Sequence, residues 1–304
     1  MRIFVGVADA QMIELFRRRN YDEVNFWTPS TAGFKALKPG DLFLFKMHAP
    51  DERIVGGGYF ARSAVLPMDL AWHVFGQKNG MRSYEAFAEK IRRYRTKNRI
   101  SAENPQIGCI VLTQPFFFPE DDLLEAPADW NRYIVRGKTY DTQEESGRRL
   151  YEEVHRRLVD MAGREEHVPE EDEEPTLGQG AFRVSVIEAY GKQCAISGER
   201  TIPVLDTAHI RPLAEGGPNQ VNNGILLRAD LKVLFVNGYL TVDKDYVVRI
   251  SRRLFSDYGG GEAYRAYDGQ SLVRLPENIV ELPAREFLEW HGKHVFLGCE
   301  RDCV

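Results

Sequence analysis

Residues 205–213, LDTAHIRPL, and residues 222–236, NNGILLRADLKVLFV, decide how this chain is read. The first stretch reads as a strand that ends near His209 and stops at Pro212, because proline cannot donate to a ladder. Residues 214–221, AEGGPNQV, have the composition of a loop. Asn222-Asn223-Gly224 signals a turn or a helix entry. A short helix over ILLRADLKVLF follows, with Leu226, Leu227, Leu231, Leu234 and Phe235 as its packing face. GYLTVD (238–243) closes the region as a strand. A β-hairpin crossed by one short helix is the simplest reading of 193–243. Taken singly, each residue is bland: His209 a core histidine, Asn223-Gly224 a turn, Lys232 a solvated lysine.

Outward from this block, the chain divides. Residues 164–174, REEHVPEEDEE, hold seven acidic residues against one arginine, a net of −6. The whole chain of 304 residues carries −5, so the remainder sits near +1. Mild overall acidity therefore does not exclude a polyanionic partner. What matters there is local clustering of Lys and Arg. The acidic run and the Pro and Gly after it read as a linker over 160–178. Domains are expected over 1–159 and 179–304. No stretch approaches the roughly 18 apolar residues of a membrane helix. Charge arrives too early in MRIFVGVADAQMIELFRRR for a signal peptide. Four cysteines are too few for a disulfide scaffold, so a reducing cytoplasm is expected.

The first 158 residues read as mixed α and β. Strands are expected over 2–8, 40–47, 53–66 (with a glycine-rich bulge) and 107–118. Helices are expected over 9–19, over 83–97 with Ser83 as N-cap, and over 143–158. Residues 89–99, EKIRRYRTKNR, form the densest positive cluster in the chain. Arg92, Arg93, Arg95 and Lys97 there suit phosphate contacts, which position a duplex without reading its sequence.

The combination RVSVIEAYGKQCAISGE, PVLDTAHIRPLAEGG, NNGILLRADLKVLF and GYLTV resembles the HNH (ββα-metal) nucleases, in the branch of predicted restriction endonucleases. The likeness covers about 180–245, and more loosely runs to LEWH (288–291). It implies phosphodiester hydrolysis. His209 would be the general base, a task suited to an imidazole neutral near pH 7. Asn223 would brace the loop that aims it. Asp206, the nearest upstream carboxylate, would be a metal ligand, and the cofactor Mg²⁺ or Mn²⁺. Two positions depart from the family pattern. Lys232 stands where a metal-binding histidine is usual, and Val236 where aspartate is common. An ammonium has no lone pair to give a metal. Lys232 either contacts phosphate in place of part of the metal's charge, or another group completes the site, or the site is weakened. Cys194 has Ser197 at the paired position, so no structural zinc is expected.

The N-terminal part resembles the PUA-like superfamily, of the EVE type, through NFWTPS (25–30), LKPGDLFLFK (37–46) and IVGGGYF (54–60). This implies an α+β chain: a small β-barrel with flanking helices, a linker and a C-terminal ββα-metal domain. The barrel would hold a modified base flipped from double-stranded DNA. Candidate base-binding residues are Trp27, Phe26, Asn25, Ser30, Tyr59, Phe60 and Trp72. The function implied is a modification-dependent DNA endonuclease that restricts DNA carrying 5-methylcytosine or 5-hydroxymethylcytosine. One HNH site cuts one strand, so a homodimer is a natural partner arrangement. Other readings are a non-catalytic reader of modified DNA, an HNH nickase or restriction enzyme for unmodified DNA, and an RNA target.

Overall fold

Alternating apolar residues in RIFVGVA build β1 (Arg2–Ala8). Ile3 and Val5 turn to one face of a sheet and Phe4 to the other, the period of two that a strand imposes. The computed structural model describes residues 1–96, 104–131, 133–162, 178–258 and 260–298. They form two units, Met1–Ala181 and Phe182–Val304. Most of the expected linker, residues 163–177, lies outside the described residues.

In the first unit, β1 is followed by α1 (Ala10–Arg19), β2 (Glu23–Thr28), β3 (Leu42–Met47) and β4 (Ile54–Pro67). Then come α2 (Met68–Phe75), α3 (Tyr84–Thr96), β5 (Gln106–Phe117), β6 (Gly137–Asp141) and α4 (Glu145–Ala162). The six strands make one sheet in the order β2-β5-β4-β3-β1-β6. Among the described residues, only β1 and β3 run parallel. β2 and β6 are its outer strands, and no ladder joins them among the described residues. The closed barrel is therefore not seen. Asp9 caps α1 by accepting from the Gln11 and Met12 amides. Helix α4 lays Leu150 and Val154 against Ile3, Val5, Leu42, Leu44 and Ile54. The opposite sheet face is aromatic, with Phe26, Phe34 and Phe43 in ring contact.

The glycine run of β4 has a steric cause. A Cβ at Gly56 would lie 2.2 Å from the Phe116 carbonyl oxygen, and one at Gly57 2.5 Å from that of Phe43. Backbone approaches on both sides leave room only for hydrogen. The expected bulge is present, as register shifts between Gly57 and Tyr59 and between Phe60 and Arg62.

The second unit opens within α5 (Gln179–Ala189). It continues with β7 (Leu205–His209), β8 (Gly224–Arg228), α6 (Ala229–Val236), β9 (Leu240–Val242) and β10 (Val248–Ile250). Helices α7 (Arg253–Tyr258), α8 (Glu262–Arg265) and α9 (Arg285–His294) follow. β7 and β8 pair antiparallel, with His209 opposite Gly224, and α6 follows at once. One sequence expectation is corrected here. Gly224–Arg228 is a strand, and the helix starts only at Ala229. Ile225, Leu226 and Leu227 are all fully buried, and an apolar run buried on both faces carries no period that separates strand from helix. No helix among the described residues is long and apolar enough to cross a membrane.

Candidate functional site

His209 ends β7, half-buried. Its ring lies flat on Phe182 at 3.9 Å between centroids, with the planes 7° apart. Nε2 is 2.7 Å from Asn219 Oδ1. With that amide oxygen accepting, the ring proton sits on Nε2 and Nδ1 holds the lone pair. Nδ1 has no hydrogen-bond partner among the described residues. Burial lowers the His209 pKa below the ordinary histidine value, the Asn219 bond raises it, and the charge of Lys232 lowers it; the net direction is down. The ring is thus a neutral base at pH 7 with one nitrogen open.

Asn223, fully buried, fixes the loop between β7 and β8. Its Oδ1 accepts from the Arg211 amide at 2.9 Å, and its Nδ2 donates to the carbonyls of Arg211 and Pro218, each at 2.9 Å. The backbone adds Ile210 N to Asn223 O at 2.9 Å. Gly217 lies inside this clamp, where a Cβ would sit 1.9 Å from Arg211 O. Each such bond is worth about 0.5–1.5 kcal/mol net, and more when its loss strands a buried partner.

The strand period puts Asp206 on the face of Ala208, and its partner Lys232 stands near enough to His209 for its charge to be felt there. There Asp206 Oδ2 is 2.6 Å from Lys232 Nζ, and Oδ1 is 3.4 Å from an Arg183 guanidinium nitrogen. Among the described residues, no group of three His, Cys, Asp or Glu stands close enough to hold a metal. The donor set on this face is one carboxylate, already bridged by two cations. A divalent ion beside Lys232 would meet repulsion of about 4 kcal/mol per pair of unit charges at 4 Å and an effective dielectric of 20. The residues present do not fit a divalent metal. The resemblance to HNH nucleases implies such a metal, and the donors seen on this face do not supply its site.

Cys194 is a buried free thiol. Its Sγ accepts from the amides of Ser197 at 3.4 Å and Arg228 at 3.2 Å. Cys299 and Cys303 lie outside the described residues.

The N-terminal candidates separate into two groups. Phe26 and Ser30 line one cavity of about 220 Å³, together with Phe4, Thr28, Phe34 and Arg136. The others lie elsewhere. Trp27 is buried, donates from Nε1 to Asn79 O at 3.0 Å and meets Phe87 edge-on at 5.4 Å. Asn25 is fully buried and donates to Asn79 Oδ1 at 2.8 Å. Tyr59 packs against the α4-side core, and Trp72 against Tyr84 and Phe87. Phe60 is buried, its ring 5.6 Å from that of Phe34. Arg92 and Arg93 are exposed on α3. Lys97 and the side chain of Arg95 lie outside the described residues.

Sequence reasoning missed Phe182, Arg183, Asn219, Phe34 and Arg136. Phe182 was visible as part of a helical apolar face, but only the fold aims it at an imidazole. Asn219 sits in a proline-flanked loop, and no spacing rule ties it to His209.

Residues 194–243 match the family model described as HNH endonuclease. The second unit thus carries an HNH endonuclease domain, which supports nuclease activity in general. No curated protein matches the chain. Among solved structures, the chain is similar to the "Modification dependent TagI restriction endonuclease", at 13% identity and a TM-score of 0.26, over 90% of this chain and 75% of that one. It is also similar to the "Type IV phosphorothioation-dependent restriction endonuclease ScoMcrA", at 12% identity and a TM-score of 0.19. That match covers 76% of this chain and 51% of that one.

Proposed function

We propose that the chain is a DNA endonuclease that cuts DNA carrying a modified base. Residues 1–159 read the base and 179–304 cut, joined by the acidic stretch 160–178. The observation that carries the nuclease half is His209: a neutral imidazole with one open nitrogen, at the end of a hairpin braced by Asn223, inside the stretch that matches HNH endonucleases. Such a nitrogen takes the proton of a water attacking phosphorus.

For the reader half, support comes from the cavity walled by Phe4, Phe26 and Phe34. Drug-sized sites run about 300–1,000 Å³, so about 220 Å³ suits a single ring better than a whole nucleotide. Aromatic walls stack on a flipped base, worth about 1–3 kcal/mol per base in single-strand systems. The Ser30 and Thr28 hydroxyls and the Arg136 guanidinium supply polar contacts to its edge. Of the residues proposed from sequence, Phe26 and Ser30 keep this role. Asn25, Trp27, Tyr59 and Trp72 shape the unit that holds the cavity. Arg92, Arg93, Arg95 and Lys97 contact the phosphate backbone. The modified base is a cytosine, 5-methylated or 5-hydroxymethylated, and two protomers together make a double-strand break.

The test uses matched duplexes carrying cytosine, 5-methylcytosine or 5-hydroxymethylcytosine, with Mg²⁺, with Mn²⁺ and with EDTA. Cutting of modified duplexes alone supports the proposal. Equal cutting of all three overturns the reader half. Selective binding without cutting in any condition makes the chain a non-catalytic reader, the reading that Lys232 in a metal-ligand position favours.

A further inference from the structure

We propose that this centre has exchanged the divalent cation of an HNH nuclease for its own cations, Lys232 and Arg183, and hydrolyses phosphodiesters without a metal. The inference rests on the nuclease reading above. Three observations carry it. Among the described residues, the face of β7 that holds Asp206 offers no second donor: the neighbour is Ala208, and the residue reaching across from α6 is Lys232. Both oxygens of Asp206 already face cations, Lys232 at 2.6 Å and Arg183 at 3.4 Å. One carboxylate against two cations leaves this face a net +1, the sign that attracts a phosphodiester and repels a metal ion. Asp206 is then no ligand. It holds Lys232 in place until a phosphate oxygen takes over part of the contact.

Two groups near the strand end divide the reaction. Water attacks phosphorus and passes a proton to His209 Nδ1 as the new P–O bond forms. The bond from phosphorus to the leaving 3′ oxygen breaks, and that oxygen takes a proton from solvent. The Lys232 ammonium, near enough to His209 for its charge to be felt there and with Arg183 behind Asp206, offsets the charge that builds on the phosphoryl oxygens. An ammonium delivers one positive charge where a metal delivers two, so this centre is a slower catalyst than a metal-loaded one but needs no loading.

The test uses the full chain, stripped of metal by EDTA and dialysis, and a duplex that it cuts. Cleavage in EDTA is expected within about twofold of the rate in Mg²⁺. Lys232→Ala is expected to cost about 100-fold or more, with no rescue by Mg²⁺ or Mn²⁺, the size of losing one transition-state donor. Lys232→Arg keeps the charge and is expected to retain part of the rate, which separates a charge role from folding. Lys232→His is expected to cut only when Mn²⁺ or Mg²⁺ is added. Cleavage abolished by EDTA and restored by Mg²⁺ overturns the proposal. Mn²⁺ titration followed by calorimetry is the second readout, independent of cutting. No stoichiometric binding to the wild-type chain, against binding by Lys232→His, supports the exchange. Tight binding by wild type that Asp206→Ala removes overturns it. A chain that cuts nothing under any condition defeats the nuclease reading, and metal-free hydrolysis with it; the titration then still decides whether Lys232 has displaced the metal.

Discussion

Two histidines of the second unit stack on phenylalanines in nearly the same way. His209 lies on Phe182 at 3.9 Å and 7°, and His291 on Phe235 at 3.8 Å and 10°. Their nitrogens differ. His291 is buried and uses both: Nε2 donates to Phe235 O at 3.1 Å, and Nδ1 accepts from Thr241 Oγ1 at 2.8 Å. Burial drives its pKa down to about 4. His209 spends one nitrogen on Asn219 and leaves the other open. A stacked, neutral imidazole is thus common to a packing residue and to the residue proposed as the base. What separates them is one unoccupied nitrogen at the surface.

The sharpest break of this comparison is a pair of alanine variants. His209→Ala should lose about 10²–10⁴-fold in cleavage rate, the range of general acid–base catalysis, while binding of duplex DNA holds. His291→Ala should melt earlier yet cut at close to the wild-type rate well below its melting temperature. Gel-based cleavage and thermal melts on the same preparations decide it. If His291→Ala also loses the rate when folded, the distinction drawn from the open nitrogen fails.

Next in size is Asn223→Ala, which removes three hydrogen bonds at once. A loss of about 3 kcal/mol is expected at roughly 1 kcal/mol per bond, read from urea unfolding of the second unit. A loss under about 1 kcal/mol would mean that the loop does not depend on this amide.

A pH effect of similar size sharpens the contrast. The folded pKa of His291, about 4, lies below the 6.5 of a free histidine. The unfolded chain therefore binds the proton first, and stability falls as pH falls from 6.5 toward 4. At 1.36 kcal/mol per pKa unit the full loss is about 3 kcal/mol. His291→Gln should flatten that part of the stability curve. An unchanged slope in the variant would assign the acid sensitivity to other groups.

The smallest expected effect belongs to Asn219→Ala. Its bond favours the imidazolium of His209, so its loss lowers that pKa further. The acid limb of the cleavage profile should then shift to lower pH. The plateau rate should fall about tenfold, a 1.4 kcal/mol loss of orientation, with KM unchanged. A limb that moves to higher pH contradicts the assigned hydrogen bond.

The hairpin and its two named residues were legible in the sequence because turn and strand chemistry are local. Pro212, the glycine-rich loop and Asn223-Gly224 fix a hairpin within 30 residues of chain. The strand Gly224–Arg228 was not legible as such, since three consecutive buried leucine-type residues have no period. In the first unit, the sequence marked Trp27 and Asn25 as base contacts. Both hydrogen-bond to Asn79, some fifty residues downstream, a pairing that only the folded sheet reveals. The ion pair of Lys232 with Asp206 spans 26 residues. The unusual lysine could be seen from sequence, but its partner could not.

The Asn223 clamp has a practical side. By pinning the chain at Arg211 and at Pro218 it closes off a small lobe, whose exposed tip is Leu213–Glu215. Leu213 and Ala214 lie outside that clamp, while Glu215 is tied back through its carbonyl, which accepts from Arg211 Nε at 2.7 Å. The tip is therefore the place on this hairpin to graft a fluorophore or an affinity handle and watch a duplex arrive, with the imidazole two strides away left undisturbed.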